Sequence, residues 1–311
     1  MFTLMFMNAG SRISSAILSR LSGVPATVRY SRLFTTLITP VMAQPSAKRQ
    51  RTHPQYELLY HPGIPGRGEF IRLAFEAAGV PYTDIANEGK DGGYKTVQKI
   101  CMNKDSESSD GNPPVFSPPA LRIPGAGKDG KALVISQTPN ILSYLGDQLG
   151  LVPEDDEGAK YHVAQVAMTA LDLNNEVHDT HHPLAVAKYY EDQKGASFEK
   201  AQDVRENRIP KFLSYFERIL KHNEQAGDGQ GKYLVGSSLT YADTTVWQVL
   251  DGLQFAFPKE MEARSKEFPD VMGKFYDNLK EEKRLKEYLN SDRRLPYSMG
   301  VFRYYPELDR R

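Results

Sequence analysis

The stretch "LLYHPGIPGRGEFIRLAF", Leu58–Phe75, closes an apolar run with a tyrosine, turns through six residues rich in glycine and proline, and then starts a charged helix. Tyr56, Leu58 and Tyr60 alternate as one face of a short strand does. Phe70, Ile71, Leu73, Ala74 and Ala77 then recur at helical spacing until Gly79, just before Pro81. "PYTDIA" (81–86) reads as a second strand, and a strand–helix–strand unit favours a parallel pair with a right-handed crossover. The glycines of the turn do not make a nucleotide loop. Gly63, Gly66 and Gly68 lack the third glycine of a dinucleotide fingerprint, and no phosphate-loop lysine follows.

Working outward, residues 104–119 are polar and proline-rich and read as a loop. "ALRI" and "KALVI" read as two strands joined by "PGAGKDG", followed by a helix from about Gln137 to Gln148. Beyond Gly150 the pattern is helical throughout. One long helix is expected from Gly158 to Tyr190 and another from Ser197 to His222, with shorter ones at 271–279 and 282–289. In "LTYADTTVW", Thr240 and Asp243 stand at the spacing of a helix capping box. The expected architecture is therefore α+β, a small βαβ-ββα unit over 56–150, an all-α unit over 156–290 and an irregular tail at 291–311.

The formal charge is zero, but seven of the 39 basic residues precede the first acid, Glu57, so the remainder carries about −7. A body of that sign is a poor binder of nucleic acid, which needs a basic face. The single cysteine, Cys101, excludes an intrachain disulfide and a cysteine-rich metal site. Apolar runs fall well short of the ~20 residues of a membrane span. Residues 1–55 are rich in arginine and serine, free of acids, and set Ile13, Ala16, Ile17 and Leu21 at helical spacing, the composition of a mitochondrial transit peptide; a disordered basic tail has similar composition. A start at Met42 would give a cytoplasmic form without it, beginning ahead of the basic run "KRQR".

Four segments in this order, spanning Tyr56 to Leu289, resemble the soluble glutathione transferases, nearest the tyrosine-type sigma class: "YELLYHPGIPGRGEFIRL", "SPPAL" (117–121), "SQTPNILSYLGDQLGL" (136–151) and "YLVGSSLTYADTTVW". The resemblance implies a thioredoxin-like domain followed by a helical domain, glutathione as co-substrate, a homodimer, a detoxifying conjugation of small apolar electrophiles, and no metal. It makes Tyr60 the catalytic residue, although one extra residue separates Tyr60 from Arg67. A phenol donating to sulfur favours the thiolate, the only good nucleophile of a thiol that otherwise titrates near 8.5. The resemblance also implies glutathione contacts from Arg67, Tyr94, Lys99, Pro118, Gln137 and Thr138, and from Asp172 toward the other subunit. It implies a cis bond before Pro119.

Two departures bear on that site. Pro118 has no amide hydrogen, so only its carbonyl can pair with the cysteine portion of glutathione, and Thr138 replaces a serine. A threonine there can also simply cap its own helix. His61 follows Tyr60, but neighbouring strand residues point to opposite faces, so the two are not expected to form an acid–base pair. The three imidazoles of "EVHDTHHP", His178, His181 and His182, raise a metal site, but no carboxylate or cysteine cluster completes one. Isomerisation or peroxide reduction would use the same thiolate, and a non-catalytic binding protein on this fold is a third reading.

Overall fold

Strand β1 (Glu57–Leu59) runs parallel to β2 (Thr83–Asp84) and antiparallel to β3 (Ala120–Ile123), which pairs antiparallel with β4 (Leu133–Ser136). The sheet order is β2-β1-β3-β4. Helix α1 (Glu69–Ala78) makes the crossover from β1 to β2 and ends at Gly79, whose φ of 68° is the left-handed cap that glycine adopts without strain. The computed structural model describes residues 53–89, 92–103, 111–154, 156–227 and 229–311. The readings of a presequence, of Met42 and of "KRQR", and those on 104–110, lie outside the described residues.

Alternation along β1 sorts its side chains as expected. Tyr56, Leu58 and Tyr60 join Phe70, Ile71, Leu73 and the helical domain in the main core, whereas Leu59 joins Ala120, Val134, Val97 and Cys101 in a smaller cluster on the other face. Strand β2 is shorter than "PYTDIA". The Asp84 amide donates to Glu88 and its carboxylate accepts from Asn87, bonds that turn the chain into the short helix α2 (Ile85–Glu88). Helix α3 (Gly93–Cys101) covers the Leu59 face, and its Val97 and Cys101 are buried there. Helix α4 (Thr138–Leu149) follows β4 where the sequence places it.

The helical half corrects several boundaries. Helix α5 (Ala159–His178) stops twelve residues before Tyr190. Thr180 donates its hydroxyl to the Val177 carbonyl at 2.7 Å, and Pro183 cannot continue a helix. The loop beyond is braced by buried Gln193, which accepts from the Leu184 and Ala185 amides and donates to the Ala185 and Lys188 carbonyls. The helix expected from Ser197 to His222 is two, α6 (Lys194–Asp203) and α7 (Ile209–Gln225), joined by a π-helical turn at Val204–Arg208. Pro210 explains the break, since it has no amide to continue the ladder.

Helix α8 (Tyr241–Ala256) is buried along nearly its whole length and carries the capping box: the Thr240 amide donates to Asp243 Oδ2 at 2.7 Å and the Thr240 hydroxyl meets the same oxygen at 2.8 Å. Asp243 also accepts the Leu234 amide at 2.7 Å, tying the preceding loop to the helix start. Helices α9 (Pro258–Ser265), α10 (Tyr276–Glu281) and α11 (Lys283–Leu289) complete the bundle, with a π-helical run at Asp270–Phe275 before α10. The tail is irregular but packed, with Val301, Phe302 and Leu308 all buried. The ring of Phe302 lies so close to Gly252 of α8 that a Cβ there would fall 2.3 Å from it. Among the described residues, no helix is long and apolar enough to cross a membrane.

Candidate active site

Strand register brings three separated segments to one end of the sheet. Leu59 pairs with Ala120 and Ala120 with Ser136, so Tyr60, the Pro118–Pro119 step and Gln137–Thr138 each lie one residue beyond the same rung. The bond between Pro118 and Pro119 is cis, as the resemblance implies.

Tyr60 is only 5% exposed, and its Oη accepts the Arg67 amide at 2.8 Å. That amide belongs to a 3-10 turn (Gly66–Gly68) running directly into α1, so the phenol oxygen sits where unpaired helix amides face outward. The two glycines let the ring in. A Cβ at Gly66, whose φ is 44°, would fall 2.2 Å from Oη, and one at Gly68 would fall 2.6 Å from the ring. Arg72 lies with its guanidinium carbon 5.9 Å from the ring centroid and donates to the Pro65 carbonyl at 3.1 Å. Burial pushes the phenol pKa up, opposed by the Arg67 amide and by the charges of Arg67 and Arg72, and burial prevails. Tyr60 is therefore a neutral phenol near pH 7. Accepting from Arg67 uses a lone pair, so its own hydrogen remains available to a ligand.

Thr138 is the first residue of α4 and does not cap it. Its Oγ1 is buried and has no partner, and it lies in the first turn of α4, whose leading amides have no partner within the helix. Gln137 before it is exposed and held at φ 73°, ψ 120°, a conformation non-glycine residues rarely adopt. A buried hydroxyl without a partner, at a helix start beside a strained residue, is chemically able to donate to an anion. Pro118 is buried, and the Ser117 hydroxyl lies 3.4 Å from its carbonyl oxygen.

The remaining candidates divide. Tyr94 lies at the site's edge, its Oη 3.3 Å from Nδ1 of His61. His61, set aside on strand alternation, is past the end of β1, and its ring meets the Tyr60 ring edge-on at 5.2 Å. Burial lowers its pKa. Lys99 is exposed on α3 and Asp172 is exposed on α5, and no contact draws either toward Tyr60. The Arg67 side chain donates to Asn175 of α5 at 2.9 Å, which joins the turn after Tyr60 to the helical domain and leaves further guanidinium donors for a ligand. Neither Asn175 nor His61 has a sequence signal of its own.

One helical turn beyond Asn175, the rings of His178, His181 and His182 touch, with centroids 4.8–5.2 Å apart. Carbonyls fix two tautomers, since His181 Nε2 donates to Val301 at 3.0 Å and His182 Nδ1 to Lys188 at 3.1 Å. His181 is 1% exposed, its Nδ1 has no partner, and burial lowers its pKa to about 3. Among the described residues, no group of three or more His, Cys, Asp or Glu is disposed to hold a metal ion. His181 thus ties the end of α5 to the tail, and His182 ties it to the loop that follows.

Comparison with known proteins bears on the family and the fold. Residues 178–292 match the family model "Glutathione S-transferase, C-terminal domain". The glutathione S-transferase of Plasmodium falciparum (isolate 3D7) is 25% identical over 224 residues, covering 71% of this chain and 90% of that protein. Glutathione S-transferase P 1 of Xenopus laevis is 27% identical over 244 residues, covering 78% and 94%. In fold, the chain is similar to prostaglandin synthase D of Nilaparvata lugens, with a TM-score of 0.55 at 18% identity, covering 78% of this chain and 100% of that one. It is also similar to the sigma class transferase of Fasciola hepatica, with a TM-score of 0.54 at 21% identity, covering 76% and 95%. With a thioredoxin-like sheet, a cis-proline step and a capping-box helix, the chain is similar to the glutathione transferases over most of its described length, and residues 178–292 match their C-terminal domain.

Proposed function

We propose that this transferase binds glutathione along the end of the sheet and uses Tyr60 to hold its sulfur as the thiolate, which attacks a small apolar electrophile. The observation that carries the reading is the buried phenol, anchored by the Arg67 amide with its hydrogen free, at the same sheet end as the unpaired Thr138 hydroxyl. The α-carboxylate of glutathione fits the Gln137–Thr138 helix start, Arg67 offers a second forked donor set, and the Pro118 carbonyl can accept the cysteine amide. Tyr94, and more remotely Lys99, flank the place for the glycine carboxylate. In the reaction the thiol proton passes to solvent, a sulfur–carbon bond forms, and with an aryl halide the halide leaves. Holding both reactants together supplies much of the acceleration.

A neutral imidazole beside the site favours a second reading. His178 lies within the field of Arg67, and burial lowers its pKa, so it can accept a proton in a glutathione-dependent isomerisation. Retention on glutathione resin, then conjugation of a generic aryl halide, tests the main reading. Thr138→Val is expected to weaken glutathione binding about tenfold, the cost of one hydrogen bond to a charged group. Binding without turnover of any electrophile, isomer or peroxide would leave a binding protein, and no binding would sink every glutathione-based reading.

The transferase is further proposed to act as a homodimer. Phe116 is 91% exposed next to the cis-proline step, and Tyr161 and Met168 on α5 are 68% and 49% exposed, apolar surface of the kind an interface covers. In such a dimer exposed Asp172 would be free to reach the partner's glutathione amino group. Sedimentation should give twice the chain mass, reduced by Phe116→Asp; a monomeric parent protein would refute this. The composition of residues 1–55 supports import into mitochondria, and a reporter fused after residue 55, compared with one fused to a chain starting at Met42, should reach the organelle only in the first case.

A further inference from the structure

Helix α1, which carries the catalytic turn at its start, is gripped along its length by α11 and the first residues of the tail. At its far end, Arg284 donates to the Ala77 and Ala78 carbonyls, at 3.3 and 2.7 Å. Arg293 pairs with Glu76 in the same last turn, its guanidinium more than half exposed against a largely buried carboxylate. At the near end the chemistry is buried. Glu69 is 0% exposed and accepts from Arg72 at 3.0 Å, from the Tyr288 hydroxyl at 2.6 Å, and from Arg294.

Glu69 is part of the turn itself. Its amide donates to the Pro65 carbonyl at 3.0 Å, closing the loop that carries the Arg67 amide, and it follows Gly68, on which the Tyr60 ring packs. Arg294 is held from the other side by Gln248 at 3.0 Å and Asp251 at 2.7 Å, both on α8, and Asp251 is in turn bonded to Tyr297 and Tyr276. A carboxylate shared by two arginines, one fixed to the long buried helix of the other domain, has little freedom to move.

We infer that Arg294 is a positioning residue for the thiol-activating site: by fixing Glu69 to α8 it sets the turn that presents the Arg67 amide to Tyr60. The device crosses 225 residues of sequence and makes the tail part of the catalytic apparatus. The inference rests on the proposed role of Tyr60.

The test measures the absorbance of bound glutathione thiolate against pH, alongside kcat/KM and thermal stability. Arg294→Gln should raise the pKa of the bound thiol by about one unit and lower kcat/KM about threefold near pH 7 and up to about tenfold below pH 6, with the deficit closing at higher pH. Tyr288→Phe, which removes a second Glu69 donor without loss of volume, should shift the thiol in the same direction by less. Arg284→Gln, at the opposite end of α1, should reduce stability with the thiol pKa unmoved. If Arg294→Gln fails to fold, Tyr288→Phe decides alone. A wild-type thiol pKa in every soluble variant of Arg294 and Tyr288 overturns the inference, while an absent thiolate signal in the unaltered protein overturns the Tyr60 mechanism beneath it.

Discussion

Tyr60→Phe should reduce conjugation near pH 7 by about 25-fold, the thiolate lost when the thiol pKa returns from about 6.5 to 8.5, while leaving glutathione bound. The free thiol titrates near 8.5, and bringing it about two units lower requires about 2.7 kcal/mol of preference for the thiolate. Hydrogen bonds to charged groups contribute about 1.5–3 kcal/mol, so one phenol can supply most of it. Tyr60 is suited to this as a donor rather than as a base. Burial keeps it protonated, and the Arg67 amide occupies a lone pair of the oxygen so that the hydrogen points elsewhere. The phenylalanine ring keeps the packing against Gly66 and Gly68, so the loss isolates the hydroxyl. The pH profile carries the signature: the variant should regain rate as pH rises past the unassisted thiol pKa, with the KM for glutathione little altered. An unchanged rate at neutral pH, or a loss that no pH restores, would rule out thiolate stabilisation by Tyr60.

What made this site readable in sequence was local. A tyrosine ending an alternating run, glycines in the next turn and a helical stripe stopped by Gly79 are each short-range constraints, and the strand, turn and helix formed where they point. The capping box at Thr240 is a three-residue pattern and appears as read. Apolar periodicity proved a poor guide to helix ends in the second half. It ran on past His178 and across Pro210, where side-chain bonds from Thr180 and Gln193 and a missing proline amide decide the backbone. Strand alternation gave no sign of the edge-on contact between the His61 and Tyr60 rings, because the strand ends at Leu59 and the pleat no longer fixes His61. Least visible were contacts between remote segments. Nothing near Arg294 in sequence points to Glu69, nothing near Asn175 points to Arg67, and the Val301 carbonyl that holds His181 lies 120 residues away.

That last contact gives the fold an acid-labile joint. An imidazole in the unfolded chain titrates near 6.5, whereas His181, buried and surrounded by Arg303, His178 and His182, is held down to about 3 despite its bond to Val301. Above pH 6.5 both states are neutral and the residue contributes no pH dependence. As pH falls below 6.5 the unfolded chain takes up a proton that the folded protein refuses, so stability declines with falling pH and levels off only near pH 3. At about 1.4 kcal/mol per pH unit, the penalty reaches about 2 kcal/mol by pH 5 and approaches about 5 kcal/mol near pH 3. His178, also lowered by burial, adds in the same direction. Asp179 accepts from His178, and the charges of Arg67 and His182 reach that ring as well, so protonating the cluster would crowd positive charge where α5 meets the tail. Denaturant titrations at pH 7.5 and 5.0 read this directly. His181→Gln can still donate to the Val301 carbonyl but does not titrate, so its stability loss between the two pH values should be smaller than that of the unaltered protein by about 2 kcal/mol. Equal losses in the two proteins would show that acid acts elsewhere, and that His181 is either protonated at little cost in the fold or already neutral in both states.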